Sequence, residues 1–102
     1  MLIAYREFAP ALTAPFDLAP TAAVIGRTTA GSRLTLRGYA TVRGDGESIR
    51  IGANAWFGER ATVHIADGEL GTVIGDDVTV GRYGIVHACP VGDGVVVADG
   101  AV

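Results

Sequence analysis

Apolar residues recur close to every sixth position from residue 25 onward. They are Ile25, Ala30, Leu36, Val42, Ile51, Phe57, Val63, Ile74, Val80, Val86, Val91 and Val97. A period of six is neither the 3.6 of an amphipathic helix nor the alternation of a half-buried strand. It is typical of short strands separated by corners, three to a coil, with the recurring residues directed into a narrow prism. An ordinary β-sandwich of short strands is the alternative.

Small residues accompany this repeat at two fixed places. Glycine directly follows many of the recurring residues, for example as Gly26, Gly31, Gly52, Gly75, Gly81 and Gly92. We expect these glycines to supply the backbone freedom that a corner needs. Two positions before the recurring residue, most repeats carry a small or apolar side chain, as at Ala40, Ala55, Ala61, Val78, Cys89 and Val95. Cys89 is therefore predicted to pack in the core.

The composition limits the possible partners and locations. The chain has 102 residues and a net charge of -3, and its eight basic residues, all arginine, are scattered. These residues form no basic stripe that would bind nucleic acid. No apolar run approaches the roughly 18 residues of a membrane span. A single cysteine excludes an internal disulfide and a cysteine zinc site. Residues 1–7 do not resemble a secretory signal, so we predict a cytoplasmic location.

Two intervals in the repeat are longer than six, and they fix the phase of the coils. Residues 44–48 and 67–71 fill these intervals, and both segments are rich in turn-forming residues, so they are predicted to be loops that protrude from a corner. With three recurring residues per coil, the third one of each coil shares one side of the prism. The residues that follow it are Arg43, His64 and His87.

These three residues are expected to stack outside one edge, with rungs about 4.8 Å apart. His64 and His87, the only two histidines of the chain, then lie on adjacent rungs. Imidazoles in this arrangement can share a metal ion at about 2.0–2.1 Å from each nitrogen. We therefore predict His64 and His87 as metal ligands; two surface histidines aligned by chance are the alternative.

Several segments resemble the γ-class carbonic anhydrases. They are Val42-Arg43-Gly44-Asp45, Ile49-Arg50-Ile51-Gly52, Val63-His64, Val73-Ile74-Gly75-Asp76-Asp77-Val78-Thr79-Val80-Gly81 and Val86-His87-Ala88-Cys89, with residues 18–26 resembling the start of that family's coils. The resemblance covers essentially the whole chain. It implies an all-β fold, a left-handed parallel β-helix, which is an exception to the usual right-handed crossover. We predict one domain over residues 1–102, with 1–22 as a lead-in strand and cap and 23–102 as the coils.

The resemblance also implies a homotrimer with zinc sites between subunits. His64 and His87 match two of the three family ligands, while Arg82 occupies the position of the third. Arginine has five N–H donors, no lone pair to offer, and is not deprotonated in proteins. The site is therefore predicted to be incomplete, and CO2 hydration to be weak or absent.

The resemblance assigns roles to further residues beside the ligands. Arg43 and Asp45 match a family pair that makes a salt bridge between subunits; solvated charges beside a loop are the alternative. Trp56 and Gly58 stand where the family carries Asn and Gln, which hold or polarise the active-site water. Glu59 lies close by in sequence. Arg43, Asp45 and Glu59 are the catalytic candidates.

Other functions stay open at this point. A substitute ligand would give an active zinc-dependent carbonic anhydrase. Arg82 of one subunit, beside His64 and His87 of another, would bind an anion such as bicarbonate or a carboxylate. A scaffold trimer and acyl transfer, the reaction of many left-handed β-helix enzymes, are further candidates. Trp56 and Tyr83 are predicted at the subunit interface.

The last residues stop short of a full repeat. The chain ends at Val102, one residue before the next inward position, and the resembling family continues with more coil and a C-terminal helix. An uncovered rung exposes unpaired backbone groups. We therefore expect a sequence truncated at its C-terminus.

Overall fold

A computed structural model describes residues 1–66 and 71–102 as a coil of short strands. Within those residues there are thirteen strands and no helix. In chain order they are Leu2–Ile3 (β1), Ala11–Leu12 (β2), Phe16–Leu18 (β3), Ala23–Ala30 (β4), Leu34–Leu36 (β5), Thr41–Ile51 (β6), Trp56–Phe57 (β7), Thr62–His64 (β8), Thr72–Ile74 (β9), Thr79–Val80 (β10), Ile85–His87 (β11), Pro90–Val91 (β12) and Val96–Val97 (β13). The described chain has no helix capable of crossing a membrane.

Every pairing between these strands is parallel, and the strands form three faces. The first face has the order β3-β5-β7-β10-β13. The second runs β1-β4-β6-β8-β11, and the third runs β2-β4-β6-β9-β12, because β4 and β6 bend around the corner and serve both. This is the predicted left-handed parallel β-helix. The strands β1, β2 and β3 pair onto the first full coil, one on each face.

Stacked apolar side chains fill the prism, and each face contributes a column of recurring residues. The columns are Val24, Val42, Val63 and Val86 on the second face, Ala30, Ile51, Ile74 and Val91 on the third, and Leu18, Leu36, Phe57, Val80 and Val97 on the first. Most are buried, and Val91 and Val97 pack against the core while partly exposed. The six-residue period thus predicted these inward positions correctly, with one exception.

That exception is Ile25, which does not point inward. Val24 pairs with Val42 and is fully buried, whereas Ile25 pairs with Arg43 on the outer column and is half-buried. The step from Val24 to Ala30 is six residues, as elsewhere in the chain. Ile25 was predicted wrongly because it is apolar and precedes a glycine, as several of the true inward residues do.

The two predicted loops have different outcomes. The segment 44–48 lies inside β6, so it is not a separate loop. Gly44 pairs with Gly26 and Ile49 with Thr28, which means that β6 takes five steps where β4 takes two. The extra residues form a bulge at the corner. The segment 67–71 falls outside the described residues except for Gly71.

Aspartate side chains connect successive coils at two of the three corners. The carboxylate of Asp76 accepts a hydrogen bond from the backbone N–H of Ala53 on the coil before, at 2.8 Å. Asp93 accepts in the same way from the N–H of Asp76 at 2.7 Å, and Asp99 from that of Arg82 at 2.8 Å. In each case a later coil satisfies a donor of an earlier one.

The glycines at these corners serve close packing rather than backbone freedom. The left-handed φ of a corner is adopted by other residues, namely Asn54 (59°), Arg60 (59°), Asp77 (58°) and Tyr83 (59°). A Cβ on Gly52, Gly75 or Gly81 would collide with the carboxylate oxygen that reaches across from the next coil. The expectation that these three glycines are needed for their φ is therefore wrong.

Gly26 differs, because it combines a left-handed φ of 71° with a close backbone neighbour. A Cβ there would collide with the carbonyl oxygen of Gly44. We expect Gly26→Ala to lower the free energy of unfolding by about 2–4 kcal/mol, through the left-handed conformation and the overpacking together. Gly94 has the same φ of 71° and nothing within 4 Å of such a Cβ.

Gly94→Ala is therefore the matched control, since it should cost only the conformational part, about 1 kcal/mol. Urea denaturation of the two variants measures the difference. Equal losses would show that the close approach to Gly44 contributes nothing.

Cys89 is exposed, which corrects its predicted place in the core. It directly precedes β12 on the last described coil, and among the described strands β12 pairs only with β9. Ala40, Ala55, Ala61 and Val78 occupy the corresponding repeat position on inner coils and are buried, as predicted. Val95, on the same last coil, is also exposed.

Candidate functional site

The predicted column of Arg43, His64 and His87 is present at the edge where the second face ends. Arg43 pairs with His64 across β6 and β8, and His64 pairs with His87 across β8 and β11. The two imidazole rings are stacked, with centroids 5.5 Å apart and planes inclined by 10°. Strand register alone therefore brings the only two histidines together on the outside of the prism.

Asp45 joins this column from the bulge in β6. One of its carboxylate oxygens accepts a hydrogen bond from the Arg43 guanidinium at 2.9 Å, and the other lies 3.1 Å from Nε2 of His64. Because a carboxylate only accepts, Nε2 of His64 carries the proton. Within one chain, Asp45 thus pairs with Arg43 and orients His64 at the same time.

The pKa of Asp45 reflects these contacts. Burial alone would raise it, but the hydrogen bonds from Arg43 and His64 and the positive charge of Arg43 outweigh burial, so the pKa lies below its ordinary value of 3.8. The carboxylate is partly exposed, at 23%. Its pairing is therefore weakened by solvent screening.

This lowered pKa makes stability depend on pH at the acidic end. The unfolded chain binds the Asp45 proton more tightly, so the contribution of Asp45 is complete above 3.8 and is lost as the pH falls through the native pKa. We expect Asp45→Asn to show a smaller loss of stability than the wild type between about pH 5 and pH 3. Urea midpoints across that range measure it, and identical pH profiles would contradict the assignment.

His87 is oriented by a backbone group instead of a carboxylate. Its Nε2 lies 3.0 Å from the carbonyl oxygen of Ile65. A carbonyl accepts, so this Nε2 also carries the proton. Both imidazoles consequently use Nε2 as a donor and leave Nδ1 as the basic nitrogen.

The zinc ion implied by the family resemblance does not fit this arrangement within one chain. Two nitrogens that share a zinc at 2.0–2.1 Å can be at most about 4.2 Å apart and must converge on the ion. The rings of His64 and His87 are nearly parallel, with centroids 5.5 Å apart, so they do not converge on one point, and each donates through Nε2 to a different acceptor. Among the described residues, no group of three or more His, Cys, Asp or Glu side chains is placed to hold a metal.

Arg82, at the position of the third family ligand, lies at the opposite edge of the second face. Its guanidinium donates to Asp99 at 3.1 Å, and its backbone N–H donates to the same carboxylate. The backbone hydrogen bond and then the side-chain hydrogen bond lower the pKa of Asp99. Arg82 and the two histidines of one chain are therefore not in contact.

Of the remaining predicted residues, Glu59 and Tyr83 lie near Arg82 rather than near the histidines. Glu59 is at the same edge as Arg82 and pairs with Arg37 at 3.7 Å, both half-exposed. Trp56 faces outward from the first face, with 39% exposed, and Tyr83 is 61% exposed. The structure thus divides the predicted residues into a histidine edge, formed by Arg43, Asp45, His64 and His87, and an arginine edge, formed by Glu59, Arg82 and Tyr83.

Two groups that contact the histidine edge, the carbonyl of Ile65 and the side chain of Thr72, were not identified from the sequence. The carbonyl of Ile65 carries no side-chain signal, so no motif could reveal it. Thr72 has a signal, because a threonine occupies an inward position that Ile49 fills one coil earlier. A buried hydroxyl needs a hydrogen-bond partner, and here the partners are groups beside the two histidines.

The fold and its repeat define the class as the hexapeptide-repeat, left-handed β-helix proteins. The chain is 31% identical to gamma carbonic anhydrase 1, mitochondrial, of Arabidopsis thaliana, over 91% of this chain and 36% of that protein. It is 32% identical to a probable carbonic anhydrase of Methanocaldococcus jannaschii, over 78% of this chain and 50% of that protein. The chain belongs to the γ-carbonic anhydrase-like family of hexapeptide-repeat proteins.

Two further matches are an uncharacterized protein and a solved structure with the same fold. An uncharacterized protein of Dictyostelium discoideum is 35% identical over 99% of this chain and 45% of its own length. The chain thus spans half or less of the length of these three relatives. A crystal structure from Bacillus cereus, described as a presumed acetyltransferase, superposes with a TM-score of 0.71 over 98% of this chain and 72% of that chain, at 20% identity. This likeness concerns the fold alone. No family model matches the chain.

Proposed function

We propose that this chain is a γ-carbonic anhydrase-like subunit of a homotrimer whose inter-subunit histidine site is incomplete, so that CO2 hydration is weak or absent. The observation that carries the proposal is the pair of stacked imidazoles, His64 and His87, whose Nε2 atoms are both engaged within the chain. The third ligand position holds Arg82. The proposed location is the cytoplasm.

Assembly is supported by where the two edges lie. Arg82 and the histidine pair stand at opposite edges of the second face, so a site that combines them needs two chains. The outer surface between these edges includes Ile85, which is 38% exposed, and Tyr83 lies beside it at 61%. Trp56 adds exposed apolar area on the neighbouring first face. Aromatic and aliphatic side chains of this kind favour burial between subunits.

Weak hydration follows from the ligand set. A catalytic zinc keeps three protein ligands and an open position, where it lowers the pKa of bound water to about 7. His64 and His87 supply two ligands, and Arg82 supplies none while placing a positive charge at the third position. The resemblance also implies that Trp56 and Gly58 lack the amide groups that hold the water and substrate.

The test is the mass, zinc content and CO2 hydration rate of the purified wild-type protein, measured on one preparation. A trimer with far less than one zinc per chain and no hydration supports the proposal. A monomer would overturn the assembly. A trimer with about one zinc per chain and active hydration would overturn the incomplete site, and would point to a substitute ligand.

A second candidate function is the binding of a small anion at Arg82. A hollow of about 450 Å³ is lined by Arg82, Tyr83, Asp99 and Gly100. Guanidinium suits bicarbonate or a carboxylate through paired hydrogen bonds, although the anion must displace the Asp99 carboxylate. Calorimetric titration with bicarbonate and acetate tests this function, with Arg82→Gln as the control. A scaffold role would remain for a trimer that binds neither metal nor anion.

A further inference from the structure

Thr72 occupies an unusual place beside the two histidines. It is the first residue of β9, it is 1% exposed, and its column on the third face also contains Thr28 and Ile49. Its hydroxyl donates to the carbonyl oxygen of His64 at 2.8 Å and accepts from the backbone N–H of Ala88 at 3.1 Å. One buried hydroxyl thus binds the residue His64 itself and the residue that directly follows His87.

The conformation of Ala88 gives this contact its importance. Ala88 has a φ of 50°, in the left-handed region that an alanine rarely adopts. Such a conformation persists only where the surroundings determine it. The N–H of Ala88 is held by two acceptors, Thr72 Oγ1 and the carbonyl of His64 at 3.1 Å. The turn that follows His87 is therefore fixed against the turn that follows His64.

We propose that Thr72 is a positioning residue that sets the relative orientation of the two imidazoles. It acts through the backbone of His64 and Ala88, and it makes no contact with either ring. This inference rests on the proposed function only in treating His64 and His87 as the site. The orientation itself is a property of the single chain, whether or not a metal or a substrate binds.

The experiment compares Thr72→Val with Thr72→Ser in the full chain. Valine matches threonine in shape but cannot donate or accept, whereas serine keeps the hydroxyl. Because the chain has only two histidines, their ring signals are readily assigned by NMR at one fixed pH. We expect Thr72→Val to shift the ring signals of both histidines and to speed the hydrogen exchange of the Ala88 amide, and Thr72→Ser to keep the wild-type values.

Thr28 offers a matched control on the same column. It is also 1% exposed, and its hydroxyl donates to the carbonyl of Ile25 at 3.2 Å, away from the histidines. Thr28→Val should reduce stability while leaving both imidazoles unchanged. If Thr72→Val does not fold, Thr72→Ala removes the same hydroxyl without requiring valine to fit.

The proposal is overturned if folded Thr72→Val or Thr72→Ala keeps the wild-type histidine signals, or if Thr28→Val shifts them as much. Neither outcome depends on zinc or hydration. A failure of the proposed function, which the metal content and the hydration rate would reveal, is therefore distinguishable from a failure of this inference.

Discussion

Arg82→His is expected to raise the zinc content of the purified protein from far below one ion per chain to about one per chain. The third imidazole would join His64 and His87 of a neighbouring subunit. To bind through Nε2, these two must each release a hydrogen bond, to Asp45 and to Ile65, at about 1–3 kcal/mol apiece. The binding free energy of a complete zinc site is on the order of 10 kcal/mol or more, so zinc binding should outweigh the loss of the two hydrogen bonds. Elemental analysis after dialysis measures the change.

The control for this substitution is Arg82→Gln. Glutamine also removes the ion pair with Asp99, but it supplies no imidazole. We expect its zinc content to stay at the wild-type level. The Arg82→His variant carrying His64→Ala should likewise lose the gained metal. Unchanged zinc in Arg82→His would mean that position 82 does not reach the histidine edge of any neighbour.

Phe57→Ala is expected to reduce the free energy of unfolding by about 3–5 kcal/mol. Phe57 is fully buried and is the largest of the fully buried side chains among the described residues. The prism is narrow, and the alanine would leave a cavity between Leu36 and Val80, which stack on either side. A small domain has only about 5–15 kcal/mol of stability in total. Chemical denaturation should therefore show a large fall in the midpoint.

Val96→Ala provides the comparison for this loss. Val96 lies on the same first face but points outward, with 71% exposed. Its truncation should change stability by no more than about 0.5 kcal/mol. Comparable losses at Phe57 and Val96 would mean that the first face does not have the inside and outside described above.

The fold could be predicted because the inward column repeats so regularly that period and corner spacing agree. The prediction failed at Ile25, where two adjacent apolar residues satisfy the pattern and only strand pairing decides that Val24 points inward. It failed at Cys89 because burial depends on a neighbouring coil, which a repeat position does not reveal. Periodicity thus predicts direction well and burial less well.

Only those features of the site that follow from strand register could be predicted from the sequence. His64 and His87 could be aligned by counting, since each ends its strand on the same face. The hydrogen bond from His64 to Asp45 could not be predicted by counting, because the bulge in β6 determines the position of Asp45 relative to His64. The Thr72 contacts likewise join the two sides of one corner, at His64 and Thr72, to Ala88 at the corresponding corner of the next coil. Side-chain partners across bulges and turns depend on local geometry that spacing does not contain.

Because aspartates accept hydrogen bonds from amides of the preceding coil, a coil is completed only after the next coil has been synthesised. On the ribosome an earlier coil emerges first, yet the amide of Ala53 must wait for Asp76, and that of Asp76 for Asp93. At every intermediate length, the newest coil therefore carries donors whose acceptors have not yet been made. An exposed strand edge of this kind can pair with another chain. The nascent solenoid is thus most open to capture at its growing end, and translation itself closes that edge one coil at a time.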